Sequence, residues 1–142
     1  MPHVRGWIAG LLLVSSLLSG CAAVADEEAA MDQPAALEAI EGSDVPRITL
    51  TADAAQRVDI RTGPTRATES GVVMPYAALF YTASGETWVY TSPEPLTYLR
   101  MPVVVDRIRG DRVFLSAGLT PGMNVVTQGT AELYGTETDV EE

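Results

Sequence analysis

Apolar and polar residues alternate in short runs from about position 46 almost to the C-terminus, the pattern typical of half-buried β-strands. Ala77, Leu79 and Tyr81 would share one face of a strand, and Trp88 and Tyr90 would share one face of the next. The runs that predict strands are residues 47–50, 59–62, 77–81, 88–90, 96–108, 112–116 and 124–128.

Turn and cap residues divide these runs and predict a single helix. Thr51 has the side chain of a helix N-cap, and with Asp53 in the first turn it predicts a short helix over residues 52–58. Pro102 bends or interrupts the longest run, and two prolines exclude residues 92–95 from a central strand. We therefore expect a mainly β fold, a small β-roll or barrel of about six short strands with one short helix.

The first 20 residues differ from the rest of the chain. Residues 7–18 form an apolar run that is too short for a comfortable membrane span, and small residues follow it, as in a secretory signal peptide. The sequence Leu18-Ser19-Gly20-Cys21 is similar to the lipobox of bacterial lipoproteins, in which the cysteine is lipidated and becomes the mature N-terminus. We expect a lipoprotein signal peptide at 1–20 and covalent acyl chains on Cys21. The alternative is a lone buried cysteine behind an ordinary signal peptide.

Acidic residues are concentrated on both sides of the β-rich region. The chain has a net charge of −10, but residues 46–129 hold eight arginines and seven acidic residues and are close to neutral. Residues 22–45 contain seven acidic and no basic residues. We expect residues 21–45 to be a disordered acidic tether of about 25–30 Å that allows a short helix at 34–41. The β-domain would then occupy 46–134 and an acidic tail 135–142.

The residue types that most catalytic sites need are missing. The one histidine is His3, inside the predicted signal peptide, the chain has no lysine, and Cys21 is its only cysteine. This composition excludes a Ser-His-Asp or Cys-His arrangement, a lysine Schiff base and an imidazole or thiolate metal site from the mature chain. The methionine spacing is typical of packing rather than of Cu(I) ligation. We expect no catalytic residue, cofactor, metal or nucleic-acid partner.

One concentration of positive charge lies in the second half of the β-rich region. We predict that it contacts anionic lipid headgroups or an acidic surface of a partner protein. The four residues are Arg100, Arg107, Arg109 and Arg112. The alternative is a set of solvent-facing positions around a hairpin, partly offset by Asp106 and Asp111.

Several segments of the β-rich region resemble periplasmic adaptor subunits, the membrane fusion proteins of tripartite efflux systems with resistance-nodulation-division (RND) pumps. The segments are 73–79, Gly85, 88–90, 100–103, 110–113, 116–119, 121–122, 125–126 and Gly129, and 48–51, 54–55 and 60–62 are similar to the opening of such adaptors. The resemblance implies the membrane-proximal β-domain, which lies against the pump and works by contact. A full adaptor inserts a β-barrel, a lipoyl-like domain and a helical hairpin where this chain has only residues 65–70.

The resemblance, the lipobox and the tether together predict a lipid-anchored accessory subunit of an efflux or export system on the extracytoplasmic face of the cell membrane. Its partners would be the bilayer, through Cys21, and a membrane transporter, above all one of the RND type. The alternative is a small envelope lipoprotein that binds a solute or cell-wall fragment, with Trp88, Tyr90 and Tyr98 lining the site or simply forming the core. A structural envelope lipoprotein without a partner is a third hypothesis.

Overall fold

The predicted helix forms where its cap residue lies. In the computed structural model, which describes residues 33–138, Thr51 is extended and its hydroxyl accepts a hydrogen bond from the Ala54 amide at 3.2 Å. This cap begins helix α1, Ala52–Arg57, which has Asp53 in its first turn and Arg57 in its last. Both charges complement the helix dipole, so the sequence signals and the structure agree at this element.

Strands make up most of the described residues. Before the 3₁₀ turn Tyr76–Ala78 they are β1 (Ala35–Glu38), β2 (Arg47–Leu50), β3 (Arg61–Pro64), β4 (Arg66–Thr68) and β5 (Gly71–Pro75). After it they are β6 (Phe80–Tyr81), β7 (Thr87–Glu94), β8 (Thr97–Pro102), β9 (Val104–Arg109), β10 (Arg112–Ala117) and β11 (Asn124–Gln128). A second helix, α2 (Thr130–Thr138), follows β11. The predicted signal peptide, Cys21 and the end of the acidic tail lie outside the described residues.

The strands pair antiparallel in two sheets. The large sheet has the order β1-β2-β8-β7-β11-β3, with β6 also paired to β7, and the small sheet has the order β4-β5-β10-β9. The prediction of a mainly β fold is confirmed, and residues 33–138 contain no closed barrel. Neither helix of this part of the chain is long and apolar enough to cross a bilayer.

The large sheet is buried on both faces. Successive side chains of a strand point to opposite faces, so Val89 and Tyr90, both fully buried, enter different cores. Val125 and Val126 do the same in β11. The large sheet therefore forms the middle layer, with the small sheet on one side and the helices on the other.

The two cores differ in composition. The aliphatic core between the sheets consists of Val72, Met74, Ala78, Val89, Val103, Val113, Leu115, Leu119 and Val125. The helix-side core consists of Ile48, Leu50, Ala54, Tyr90, Tyr98, Val126 and Leu133, with Phe80 and Tyr134 packed against it. The aliphatic-core residues include no aromatic side chain. Of the aromatic residues on the helix side, Phe80, Tyr90 and Tyr98 lie on strands and Tyr134 lies on α2.

The chain leaves the large sheet for the small one at two residues that hydrogen bonds hold in place. Thr65, between β3 and β4, is 2% exposed; its amide donates to the Met123 carbonyl at 2.8 Å and its hydroxyl to the Thr120 carbonyl at 2.9 Å. Val103, between β8 and β9, donates its amide to the Thr87 carbonyl at 3.0 Å. Both crossovers are therefore built into the core rather than left as surface loops.

A glycine makes the second crossover possible. Gly118 has φ +111°, and a Cβ there would lie 2.5 Å from the Pro102 carbonyl oxygen and 2.8 Å from the Val103 Cα. Any larger residue would both clash with this backbone and occupy an unfavourable φ. Gly118 therefore allows the chain to leave the large sheet where Pro102 ends β8, at the interruption that the sequence predicts.

Two segments that the sequence places outside the β-domain strands are themselves strands. Residues 34–41 were predicted as tether with room for a short helix, but β1 pairs with β2 there and its Ala35 and Leu37 are half-buried. Burial of alternate side chains overrides the helix propensity of this segment. Residues 65–70, which belong to none of the predicted strand runs, contain the edge strand β4, paired with β5.

Three further predictions change in detail. Residues 77–81 are not one strand, because the turn Tyr76–Ala78 precedes the short β6. Strand β7 includes Pro93, which the ladder accommodates with an irregularity in the pairing to β8 between Thr91 and Glu94. Helix α2 runs into the predicted acidic tail. The described residues contain eleven strands instead of about six, because β1, β4 and β5 lie outside the predicted runs and the run 96–108 breaks to change sheets.

Candidate functional site

The outer face of the small sheet is rich in arginine. Along β10, Val113 and Leu115 are buried at 0% and 2% exposure, so Arg112 and Phe114 point away from the core. Phe114 pairs with Val73 of β5 on one side and with Arg107 of β9 on the other. Directly paired residues of antiparallel strands project on the same face, so these side chains lie next to one another on the outside of the sheet.

The same register adds two more arginines. Arg66 of β4 pairs with Val73, and Arg109 of β9 pairs with Arg112. Two adjacent rows of side chains therefore cross the sheet. We call this surface the arginine face; it consists of Arg66, Val73, Arg107, Arg109, Arg112 and Phe114.

The arginine face keeps a positive charge after its local ion pairs are counted. Arg107 pairs with Asp106 at 2.5 Å and lies over the Phe114 ring, with its guanidinium carbon 4.2 Å from the ring centroid. Arg112 and Asp111 are 3.9 Å apart and mostly exposed, a separation and exposure at which a pair contributes little. Within residues 33–138, Arg66 and Arg109 make no ion pair.

Arg100 lies elsewhere. It pairs with Tyr90 across β8 and β7, on the helix side of the large sheet, and its side chain is only 16% exposed. Its Nη2 is 2.8 Å from Oε1 of Glu137, which is 5% exposed. The guanidinium lies 4.5 Å from the centroid of the Trp88 ring. The structure therefore separates Arg100 from Arg107, Arg109 and Arg112, with which the sequence grouped it.

Glu137 has a partner on each oxygen. Besides its ion pair with Arg100, its Oε2 accepts a hydrogen bond of 2.6 Å from the Tyr90 hydroxyl. Burial, together with this hydrogen bond and the carboxylate charge, raises the pKa of Tyr90 well above its usual value. Phe80 stacks on Tyr90 with ring centroids 5.4 Å apart. The result is a directional polar network that fixes α2 on the large sheet.

A cavity of about 420 Å³ borders this network. Arg100, Tyr134 and Glu137 line one side of it, and Ser43 and Asp44 of the β1–β2 connection line another. Tyr90 and Tyr98, which the sequence offered as lining of a solute site, are instead buried in the helix-side core at 0% and 4% exposure.

Two tyrosines of the 74–90 segment are exposed. Tyr76 begins the 3₁₀ turn and is 45% exposed, and Tyr81 ends β6 and is 55% exposed. Tyrosine is enriched at the centres of protein interfaces because it offers a large apolar surface and a hydroxyl. Both residues are therefore suited to contact with another protein.

Sequence reasoning missed Arg66 and Glu137. Arg66 lies in a polar run without the apolar alternation that indicates a strand, and no local signal marks it. Glu137 follows Leu133 by four residues, the spacing of two side chains on one helix face. That spacing was a usable sign that residues after 134 belong to the domain.

Comparisons with protein-family models, curated proteins and solved structures return no match to this chain. Within residues 33–138, no three acidic, histidine or cysteine side chains come together as metal ligands would. The candidate site is thus defined by the chain's own surfaces: the arginine face, the exposed tyrosines and the cavity beside Arg100.

Proposed function

We propose that this protein is a lipid-anchored, extracytoplasmic accessory subunit of an efflux or export system. Its β-domain would dock on a membrane transporter, above all one of the RND type, as the resemblance to membrane-proximal adaptor domains implies. Cys21 would carry the acyl chains and, because β1 begins at Ala35, a tether shorter than the sequence predicts, about 20 Å, would keep the domain near the membrane. The protein acts by contact in this proposal, with no chemical step of its own.

The observation that carries the proposal is the way the two adaptor-like parts join. The opening part supplies β2 and β3, and the later part supplies β7, β8 and β11 of the same sheet. β2 pairs with β8, and β3 pairs with β11. The chain between the two parts crosses at Thr65, which is buried and hydrogen-bonded to Thr120, Gly122 and Met123 in the turn before β11. This arrangement supports a complete docking domain that needs none of the domains a full adaptor inserts at this point.

The surface we assign to the transporter contact includes Tyr76 and Tyr81. Exposed large apolar side chains are costly unless a partner covers them, and aromatic residues dominate the binding energy of many interfaces. Tyr76 belongs to segment 73–79, on which the family resemblance rests, and Tyr81 lies between that segment and Gly85. Docking would therefore use residues of the adaptor-like part of the chain.

Co-purification from membranes tests the proposal. The full chain with a C-terminal affinity tag is expressed in its own host and recovered after mild solubilisation. We expect a polytopic transporter to copurify with the wild type and to be strongly reduced with Cys21→Ser, because loss of the anchor lowers the local concentration of the domain. Wild-type protein that is lipidated and membrane-bound but brings down no transporter would argue against the proposal.

The cavity beside Arg100 favours a second candidate, a small lipoprotein that binds a polar solute. Its volume of about 420 Å³ lies in the range of small-molecule sites, and it offers both charges and an aromatic ring. A thermal-shift screen of polar metabolites and cell-wall fragments tests this function. A specific ligand should raise the midpoint of the wild type but not of Asp44→Ala. A screen without any such ligand would leave this candidate without support.

A further inference from the structure

We infer that the arginine face is a docking surface for anionic phospholipid headgroups. This inference goes beyond the proposed function, which concerns contact with a transporter. It relies on that function only for the anchor that would hold the domain close to a bilayer.

Charge is the first argument. The arginine face holds four guanidinium groups on one side of a four-stranded sheet, and within the described residues only Arg107 has a close acidic partner. Guanidinium groups donate paired hydrogen bonds that match the oxygens of a phosphodiester. Each basic residue near an anionic membrane contributes about 1 kcal/mol of attraction, so the face is strongly complementary to such a surface.

Shape is the second argument. A cleft of about 230 Å³ lies between Arg66 and Arg112, and Val73 and Pro75 are among its apolar lining residues. A phosphodiester bound in this cleft would have its charge beside the two arginines and its glycerol side toward the apolar residues. Asp111 also borders the cleft, but it is almost fully exposed and 3.9 Å from Arg112, so the cleft retains positive charge.

The composition of the face favours lipid over an acidic protein. The centres of protein interfaces are depleted in lysine and acidic residues and enriched in arginine and in aromatic residues, which supply the apolar anchors. Here the one aromatic residue, Phe114, is half-buried and covered by Arg107. Such a surface lacks an apolar anchor for a protein partner but suits a layer of headgroups. The exposed tyrosines, which do suit a protein, are outside the arginine face.

Vesicle binding tests the inference without anchor or transporter. The full chain carrying Cys21→Ser is sedimented with phosphatidylcholine vesicles, with and without phosphatidylglycerol. Any binding through the apolar segment 7–18 occurs with both lipids and cancels in the ratio of the two affinities. Arg66→Gln/Arg112→Gln changes the face, and Arg47→Gln/Arg57→Gln removes the same charge from exposed positions outside it.

We expect phosphatidylglycerol to increase binding of the parent chain, high salt to abolish the increase, and the face variant to reduce it about tenfold or more. The control variant should stay within about twofold. Equal binding of the two variants would overturn the inference. An acidic peptide or free glycerol phosphate that binds the face more tightly than the phosphatidylglycerol vesicles do would identify a protein partner or a soluble ligand, respectively, and would overturn it too. If the lipid-docking inference fails but a transporter still copurifies with the lipidated protein, the proposed function is retained.

Discussion

The two faces of the large sheet are buried by different means. Toward the small sheet, side chains such as Val89, Val125 and Leu115 form an aliphatic core. Toward the helices, Tyr90 and the other helix-side core residues surround an ion pair of Arg100 with Glu137. Adjacent residues of β7, Val89 and Tyr90, are buried on opposite faces of the sheet.

The two faces therefore tolerate different kinds of substitution. Aliphatic burial is non-directional, so its cost depends on volume and on how well a cavity collapses. The helix-side network is directional, and removing one member leaves a buried charge or acceptor without its partner. The first face should tolerate replacements of equal volume, whereas the second should tolerate only coordinated ones.

Loss of the buried carboxylate should have the largest effect. In Glu137→Ala, Arg100 would keep its charge at 16% side-chain exposure without a partner, and the Tyr90 hydroxyl would lose its acceptor. We expect the free energy of unfolding, measured with urea, to fall by about 4 kcal/mol. The double variant Arg100→Met/Glu137→Leu should recover most of this loss, and a loss below about 1 kcal/mol in the single variant would contradict the network's role.

A cavity in the aliphatic core should come next. Leu115→Ala removes a side chain that is 2% exposed and should lower the free energy of unfolding by about 3 kcal/mol. Leu115→Met keeps the volume and should cost less than about 1.5 kcal/mol. Equal losses in the two variants, measured by urea unfolding, would show that this face depends on shape as strictly as the other.

Removal of one hydroxyl should have a smaller effect. Tyr90→Phe keeps the stacking with Phe80 but deprives Glu137 of one hydrogen bond, which should cost about 1–2 kcal/mol. Tyr98→Phe is the matched control, because within the described residues the Tyr98 hydroxyl makes no side-chain hydrogen bond. Thermal unfolding at neutral pH should separate the two variants; identical midpoints would be inconsistent with the directional network.

The pH dependence of stability should show the smallest effect. Burial and Glu137 raise the pKa of Tyr90 in the folded protein, whereas tyrosine in the unfolded chain ionises near about pH 10. Above that pH the folded state binds more protons than the unfolded state, so stability falls as pH rises, by up to about 1.4 kcal/mol per unit. The contribution is fully present below about pH 10.

Urea unfolding at about pH 9 and pH 11 measures this slope. Tyr90→Phe should remove the contribution of Tyr90 to this pH dependence. Burial also raises the pKa of Tyr98, so Tyr98 should account for the pH dependence that remains. If the slope of stability against pH is the same in Tyr90→Phe as in the wild type, the Tyr90 hydroxyl of the wild type does not stay protonated in the folded state.

Local signals in the sequence predict local structure well in this chain. The cap at Thr51 begins α1, and the alternating runs 47–50 and 124–128 coincide with β2 and β11. The sequence does not show which sheet a strand joins. The long run 96–108 becomes β8 and β9 in different sheets, because its break depends on the contact of the chain with Gly118.

The candidate site shows the same limit. Arg100 and Arg107 are close in sequence, but register with Tyr90 turns Arg100 toward Glu137, while register with Phe114 turns Arg107 outward. Arg66 joins the outer face only through strand pairing with β5. Charge clusters in a β protein therefore need the register before they define a surface.

Photo-crosslinking in intact membranes tests the central claim, docking on a transporter, most directly. A photoreactive residue replaces Tyr81, which is 55% exposed, or, as the control, the exposed Arg57 on α1. We predict a covalent product with one polytopic transporter from position 81 and little or none from position 57. A lipidated, folded protein that gives no transporter product from position 81, or equal products from both positions, would contradict the account.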